Sequence, residues 1–266
     1  MPEAAISIQL WTVRAELEMN VDSTLAQLAS IGFANVEPFD FVHRARELSN
    51  AFAEHGLSAP TGHAPLVSVI ENPFDPDIVA PGNEEVFAAA QILGMSTVID
   101  PFVAPERWQT LEEISKTAEL FNQAAAVAAK WGLTVGYHNH NQELLNQFDG
   151  KHALEVFADL LDPAVVLEID LYWATAGGAD TAALVSRLRD RVVAVHFKDG
   201  TLSPVPSLSS VPTDQVPAGR GVVPLDTALA AAVALRHVIV EFDAYDGDIW
   251  EAVSASYRYL ADRGYA

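Results

Sequence analysis

The sequence has no cysteine among its 266 residues, so disulfides and thiolate chemistry are excluded. No apolar run approaches the roughly 18 residues of a membrane span. The opening stretch MPEAAISIQLW lacks the basic flank and long apolar region of a secretory signal, and the expectation is a cytoplasmic protein. Cations are scarce: 15 Lys and Arg stand against 36 Asp and Glu, for a formal net charge of −21. A field of that sign repels phosphate backbones and anionic lipid, so neither nucleic acid nor membrane is expected as a partner. There is no phosphate loop with Gly-Lys-Ser/Thr. Gly219-Arg220-Gly221 runs on into Val-Val-Pro, so the dinucleotide fingerprint fails. No Ser/Gly-rich or Pro-rich linker divides the chain, which reads as a single domain over 1–266.

What is present is a regular alternation. Half of the residues are hydrophobic, enough for a large core. Short apolar runs at 7–11, 35–39, 57–63, 96–102, 133–140, 165–170, 192–197 and 237–242 read as strands. Helical spacing follows each of them. In 21–31 the apolar positions are Val21, Leu25, Leu28 and Ile31. Over 111–128 they are Leu111, Ile114, Ala118, Phe121, Ala125 and Ala128, with Gly132 as the stop. Further helices are expected at 44–55, 84–93, 151–161, 181–188, 225–235 and 249–262. Eight strand–helix units at this length predict an α/β fold, a single (β/α)8 TIM barrel.

In such a barrel the active site lies at the C-terminal strand ends. Those ends carry Gln9 and Trp11; Glu37; His63; Asp100; His138, His140 and, just beyond, Glu143; Glu168 and Asp170; His196, Lys198 and Asp199; and Glu241 and Asp243. Any one of them has a bland explanation, such as a rim hydrogen bond or a helix cap, and Asp199 and Asp243 fit caps well. Convergence on one axis is what sets them apart, because carboxylates that share a pocket need a cation. Side chains alternate along a strand. His138 and His140 therefore share one face and Tyr137 and Asn139 the other; Glu168 pairs with Asp170, and His196 with Lys198. His138, Asp170, His196 and Glu241 supply two imidazoles and two carboxylates. That set suits Mn, Co, Zn, Ni or Fe better than Ca.

Several fragments, in order and spacing, resemble one family across nearly the whole chain: SIQLWTVR, IGFANVEPF, GYHNHNQE, LEIDLYWA, VHFKDG, GRGVVPL and VIVEFD. The family is the sugar phosphate isomerases/epimerases with xylose-isomerase-like TIM barrels, in a branch that carries YHNH. The resemblance implies metal ligands at the ends of strands five to eight, which are His138, Asp170, His196 and Glu241 here. It implies one divalent transition metal, with Mn first and Co, Zn, Ni, Fe or Mg as alternatives. It also implies a carbohydrate as substrate and a homodimer or homotetramer. Two positions depart from the family's ketose epimerases. His138 stands where those enzymes place a glutamate, and Trp173 where they place a histidine.

The expected activity is a metal-dependent sugar isomerase/epimerase. It would abstract a proton from a keto-sugar or inositol-type substrate through a metal-stabilised enediolate. The alternative is a metal-dependent lyase or dehydratase acting by β-elimination or hydration on a 3-keto-sugar, 3-keto-glycoside or inosose. A non-catalytic sugar-binding barrel would be expected to lack one of the four ligand positions, and an abasic-site endonuclease would need a basic surface. Glu143, His140 and Glu241 are candidate bases. Lys198 is either a substrate clamp or the partner of Asp199 in a surface ion pair. Gln9, Trp11, Glu37, His63, Trp173 and Arg220 are candidate substrate contacts, with Arg220 on a Pro/Ser-rich lid over 201–223.

Overall fold

The computed structural model describes residues 4–67, 80–204 and 211–266. Eight strands form one all-parallel sheet: β1 (Ala5–Gln9), β2 (Asn35–Glu37), β3 (Thr61–His63), β4 (Thr97–Asp100), β5 (Thr134–His138), β6 (Val166–Asp170), β7 (Val192–Phe197) and β8 (His237–Val240). Their order is β2-β1-β8-β7-β6-β5-β4-β3. The two end strands meet through single bridges, Asn35 with Ser58 and Phe39 with His63, which close the barrel. Eight helices form the outer layer: α1 (Val21–Ile31), α2 (Ala45–Glu54), α3 (Asn83–Ile92), α4 (Leu111–Ala128), α5 (Ala153–Leu160), α6 (Thr181–Leu188), α7 (Leu225–Ala231) and α8 (Ile249–Ala261). This is the expected TIM barrel. Among the described residues no helix is long and apolar enough to cross a membrane.

The unit α4–β5 shows how the sequence builds the wall. Thr110 caps α4 by accepting from the Glu113 amide at 3.2 Å, which satisfies one of the free N-terminal donors. Ile114, Ala118, Phe121, Ala125 and Ala128 fall on one buried face. Gly132, at φ 68°, takes the left-handed turn that stops the helix. Leu133 then leads into β5, whose Tyr137 ring meets Phe121, Trp108 and Phe157 at about 5.3–5.4 Å behind the sheet. The next residue, His138, points the other way, into the barrel.

The observed strands are mostly shorter than the apolar runs. Strand 7–11 stops at Gln9 because the Gln9 side chain accepts from the Trp11 amide and starts a tight turn, Leu10–Val13. The run 57–63 is cut by Pro60, which has no N–H for the ladder. Its first part survives only as the Ser58 bridge. The run 133–140 ends at His138, where Asn139 leaves the ladder and its Oδ1 accepts from the Asp170 amide at 3.1 Å. The expected lid, 201–223, lies partly outside the described residues. Its feet form a two-stranded pairing, Asp199–Gly200 with Gln215–Val216.

Candidate metal centre and cleft

A cleft of about 580 Å³ opens at the C-terminal ends of the strands. Gln9, Trp11, His63, His138, His140, Trp173, Lys198 and Glu241 line it, as expected of strand-end groups. Trp11 is the exposed one, at 42%. The Phe39 ring meets its edge at 5.1 Å, and the Arg14 guanidinium lies 4.3 Å above its ring. Arg14, Phe39 and Asp243 also line the cleft. Of these, Arg14 was missed as a contact because a loop residue beyond a strand end has no periodicity to place it.

The floor holds the ionisable groups. Asp170, His196 and Glu241 place one ligand atom each within 4.8 Å of one another. His138 Nε2 is 3.9 Å from Asp170 Oδ2. Lys198 Nζ lies 2.9 Å from that same oxygen and 2.7 Å from Glu241 Oε2. Burial alone would neutralise Glu241, but Lys198 and His196 outweigh it and hold the carboxyl well below its usual range. Burial dominates at Asp170, whose pKa rises to about 6 despite Lys198.

Beneath these groups lies an orienting tier. Glu168 Oε1 is 3.2 Å from His138 Nδ1, 3.0 Å from His196 Nε2 and 2.7 Å from His63 Nε2. Glu37 Oε1 accepts from Gln9 at 2.9 Å and lies 2.7 Å from His196 Nε2. A proton on His138 Nδ1 is held by Glu168, so Nε2 keeps its lone pair toward Asp170. A proton on His196 Nε2 is held by Glu37 and Glu168, so Nδ1 faces Glu241. Carboxylates behind histidines fix the tautomer of metal-binding imidazoles in this way. His63 bridges Glu37 and Glu168. Burial pulls its pKa down, but the two carboxylates outweigh that and raise it to about 9. Glu168 belongs to the tier because it precedes Asp170 by two residues and so shares its face.

His140 and Trp173 form the wall beside the floor, with ring centroids 5.6 Å apart. His140 Nδ1 and Trp173 Nε1 are both buried without a hydrogen-bond partner. Burial, then the Lys198 ammonium, pushes the His140 pKa down to about 3, so the ring is neutral. Both residues line the cleft, although these two atoms themselves are shielded from solvent.

Several residues singled out in the sequence are placed away from the cleft opening or bound differently from the expectation. Glu143 lies behind β5, where it accepts from the Tyr137 hydroxyl and from the His140 amide at 3.0 Å. It does not reach the cleft, because the chain turns outward into the short helix Gln142–Leu145. Glu37 is fully buried under the cleft and touches Gln9, His63 and His196 rather than the opening. Arg220 points to a separate surface groove with Tyr245, Trp250 and Arg258. The cause is Asp199, which is not a helix cap. Its carboxylate accepts from the amides of Gly200, Gly219, Gly221 and Val223 and turns the chain away from the cleft. A Cβ on Gly221 would sit 2.1 Å from Asp199 Oδ1, so that turn requires glycine. Lys198 is accordingly buried among Asp170, Glu241 and Asp243 and forms no surface pair with Asp199. Asp243 is not a cap either; Asp248 caps α8.

The donor set fits a divalent metal. Asp170 Oδ2 is buried and accepts no well-directed hydrogen bond. Imidazole and carboxylate donors together match a borderline transition ion. Charge points the same way: among the described residues, Glu37, Glu168, Asp170, Glu241 and Asp243 share Lys198, His63 and His196 as cationic partners, and His138 beside Glu168 and Asp170 has its pKa lowered by burial. A second convergent group, His63, His138, Glu168 and His196, is the orienting tier itself.

Comparison with known proteins agrees with the fold. A sugar phosphate isomerase/epimerase from Parabacteroides distasonis superposes with a TM-score of 0.78 at 20% identity, covering 98% of this chain and 94% of that one. The probable 3-DHS dehydratase AsbF of Bacillus anthracis, involved in petrobactin synthesis, gives 0.72 at 14% identity, covering 98% and 100%. The IOLI protein, solved with a bound zinc atom, gives 0.68 at 19%, covering 97% of each chain. No curated protein sequence matches the chain. Residues 25–260 match the xylose isomerase-like TIM barrel, and the chain belongs to that family.

Proposed function

We propose that the protein is a divalent-metal-dependent enzyme that isomerises or epimerises a polyhydroxy carbonyl compound. The observation that carries the reading is the convergence of Asp170, His196 and Glu241, with His138 alongside, at the floor of a sugar-sized cleft. These four residues would hold the metal, and Mn fits the mixed donor set as well as the Zn found in one relative. When bound, the metal would act as a Lewis acid toward a substrate carbonyl or hydroxyl oxygen.

The chain's own groups supply the rest. Lys198 places an ammonium where a substrate oxygen gains negative charge. His140 is neutral and its ring lines the cleft, so it is the group assigned to take a proton from the carbon next to a carbonyl. Trp173, Gln9 and His63 border the same space. Glu241 is bound to Lys198 and His196, which favours a ligand role over a base role.

A lyase or dehydratase is the second reading, and a specific observation favours it. Among the described residues, the neutral base candidate that lines the cleft outside the four proposed ligands is His140, rather than a pair of carboxylates on opposite faces of a carbon. A single base suits removal of a proton ahead of a β-leaving group as well as transfer between neighbouring carbons. The probable dehydratase among the structural relatives supports keeping it. The wider setting is a cytoplasmic one, with a small carbohydrate as partner and self-association into dimers or tetramers.

Elemental analysis tests the metal. Near one equivalent in the wild type, lost in His138→Ala, Asp170→Ala and Glu241→Ala, supports the site. Solvent-deuterium exchange into keto-sugars and inososes tests the chemistry. Exchange without net elimination favours the isomerase, and loss of water or an alkoxy group favours the lyase. The absence of exchange in every turned-over substrate removes the enediolate.

A further inference from the structure

Three carboxylates surround one ammonium at the cleft floor. Lys198 Nζ lies 2.9 Å from Asp170 Oδ2, 2.7 Å from Glu241 Oε2 and 3.1 Å from each Asp243 oxygen. The ammonium's directed hydrogen bonds go to the two Asp243 oxygens, and Asp170 and Glu241 lie at ion-pair distance from it. Two of those acids, Asp170 and Glu241, also belong with His196 to the group that converges tightly enough for an ion. The lysine and the metal therefore compete for the same carboxylates. Two cations so close repel, most strongly in a buried place.

The third acid differs. Asp243 is outside the convergent group and is fixed from another direction. Its Oδ2 accepts from Gln215 Nε2 at 2.6 Å, and its amide donates to Gln215 Oε1 at 2.7 Å. Gln215 belongs to the pairing at the foot of the 201–223 loop. Asp243 thus offers Lys198 an anchored carboxylate that the metal does not use.

We infer that Lys198 is a resident cation that holds the metal's carboxylates together until an ion displaces it, and that Asp243 is the berth to which it withdraws. The inference rests on the metal reading above. It has a consequence for order. With Asp170 and Glu241 taken by the ion, Lys198 keeps one acidic partner and regains free N–H donors for a substrate oxygen. Metal loading therefore arms the clamp, and metal binds before substrate.

Calorimetric titration of chelator-treated protein with Mn²⁺ at one fixed pH tests this without any turnover. Four proteins are compared: wild type, Lys198→Met, Asp243→Asn and the double variant. Lys198→Met is expected to bind Mn²⁺ about tenfold more tightly or better. Asp243→Asn is expected to bind about tenfold more weakly, because a lysine without its berth competes harder. In the Lys198→Met background the Asp243→Asn change is expected to lose its effect, since the two act as a unit. Binding by Lys198→Met that is equal to or weaker than wild type overturns the displacement and leaves the metal site standing. An Asp243 effect that persists at full size in the double variant overturns the berth. Failure of all four proteins to bind Mn²⁺, Co²⁺ or Zn²⁺ overturns the metal reading and this inference with it. Circular dichroism melts screen each variant, and Lys198→Gln replaces Lys198→Met should that one not fold.

Discussion

Glu143 and Glu241 are both buried carboxyls near the same end of the barrel, yet their surroundings drive them apart. Glu143 sits behind β5, where Tyr137 is packed among Trp108, Phe121 and Phe157. Burial raises its pKa to about 7, and hydrogen bonds from Tyr137 and Gln142 only moderate the rise. Glu241 sits in front of β8 beside Lys198 and His196, which hold it ionised against an equal burial. Burial alone does not decide the charge of a carboxyl; the neighbours do. The aromatic side of the sheet makes a weak acid, and the cationic side makes a carboxylate.

The largest test of that contrast removes carboxylates from the cationic side. Asp170→Ala and Glu241→Ala are expected to weaken metal binding by more than about 100-fold, beyond the 10- to 100-fold typical of outer partners. Glu143→Ala should leave metal content near wild type, as read by elemental analysis. Next comes the open base. His140→Asn is expected to lower kcat on any accepted substrate by about 100- to 10,000-fold with metal content unchanged. A loss of metal in that variant would move His140 into the ligand set.

Glu168→Gln tests the orienting tier. It weakens the hold on the protons of His138 and His196, so metal affinity is expected to fall about 10- to 100-fold, as seen in titration. An unchanged affinity would mean that the histidine tautomers are fixed elsewhere.

The aromatic side is probed by pH. Glu143 has a folded pKa above its usual 4.5, so the folded state binds the extra proton. Its contribution is most favourable below pH 4.5 and is lost as pH rises through about 7. On the order of 3 kcal/mol is at stake at full ionisation. Thermal melts of wild type should therefore fall from pH 5 to pH 8 relative to Glu143→Gln, which cannot ionise. Parallel curves would show that Glu143 is already charged at low pH. The smallest effect is expected at Arg220, outside both regions. Arg220→Ala should change stability by no more than about 0.5 kcal/mol and leave metal content alone.

Much of the barrel is legible in the sequence because two periodicities alternate without interruption. The runs at 192–197 and 181–188 coincide with β7 and α6. The cleft set follows from alternation, as His138 and His140 show by facing inward together. What escapes this reasoning is chemistry that depends on chain reversal. Nothing in GYHNHNQE says that Glu143 turns behind its own strand, since that depends on the outward turn after Asn141. Arg220 follows the same rule, because Asp199 must first gather four amides. Glu168 was visible as a neighbour of Asp170, but its office as a partner of imidazoles needed His63 from across the barrel.

The single-bridge seam between β2 and β3 has a consequence for how the molecule breathes. Among the described residues three backbone bonds stitch it: the Val36 amide to Ser58, the Ser58 amide to Ala34, and the His63 amide to Pro38. Ladders of three or more residue pairs join β5, β6, β7 and β8, with one register shift between Leu167 and Glu168. Amide hydrogen exchange should thus begin at the seam and reach the ligand-bearing half last. His63 is at that seam, and its ring also ties Glu37 to Glu168. A small opening there would slacken the acids that hold the histidine protons while the ligand residues stay in register. The barrel would then have a rigid half that keeps Asp170, His196 and Glu241 together and a looser half that tunes the carboxylates behind the histidines.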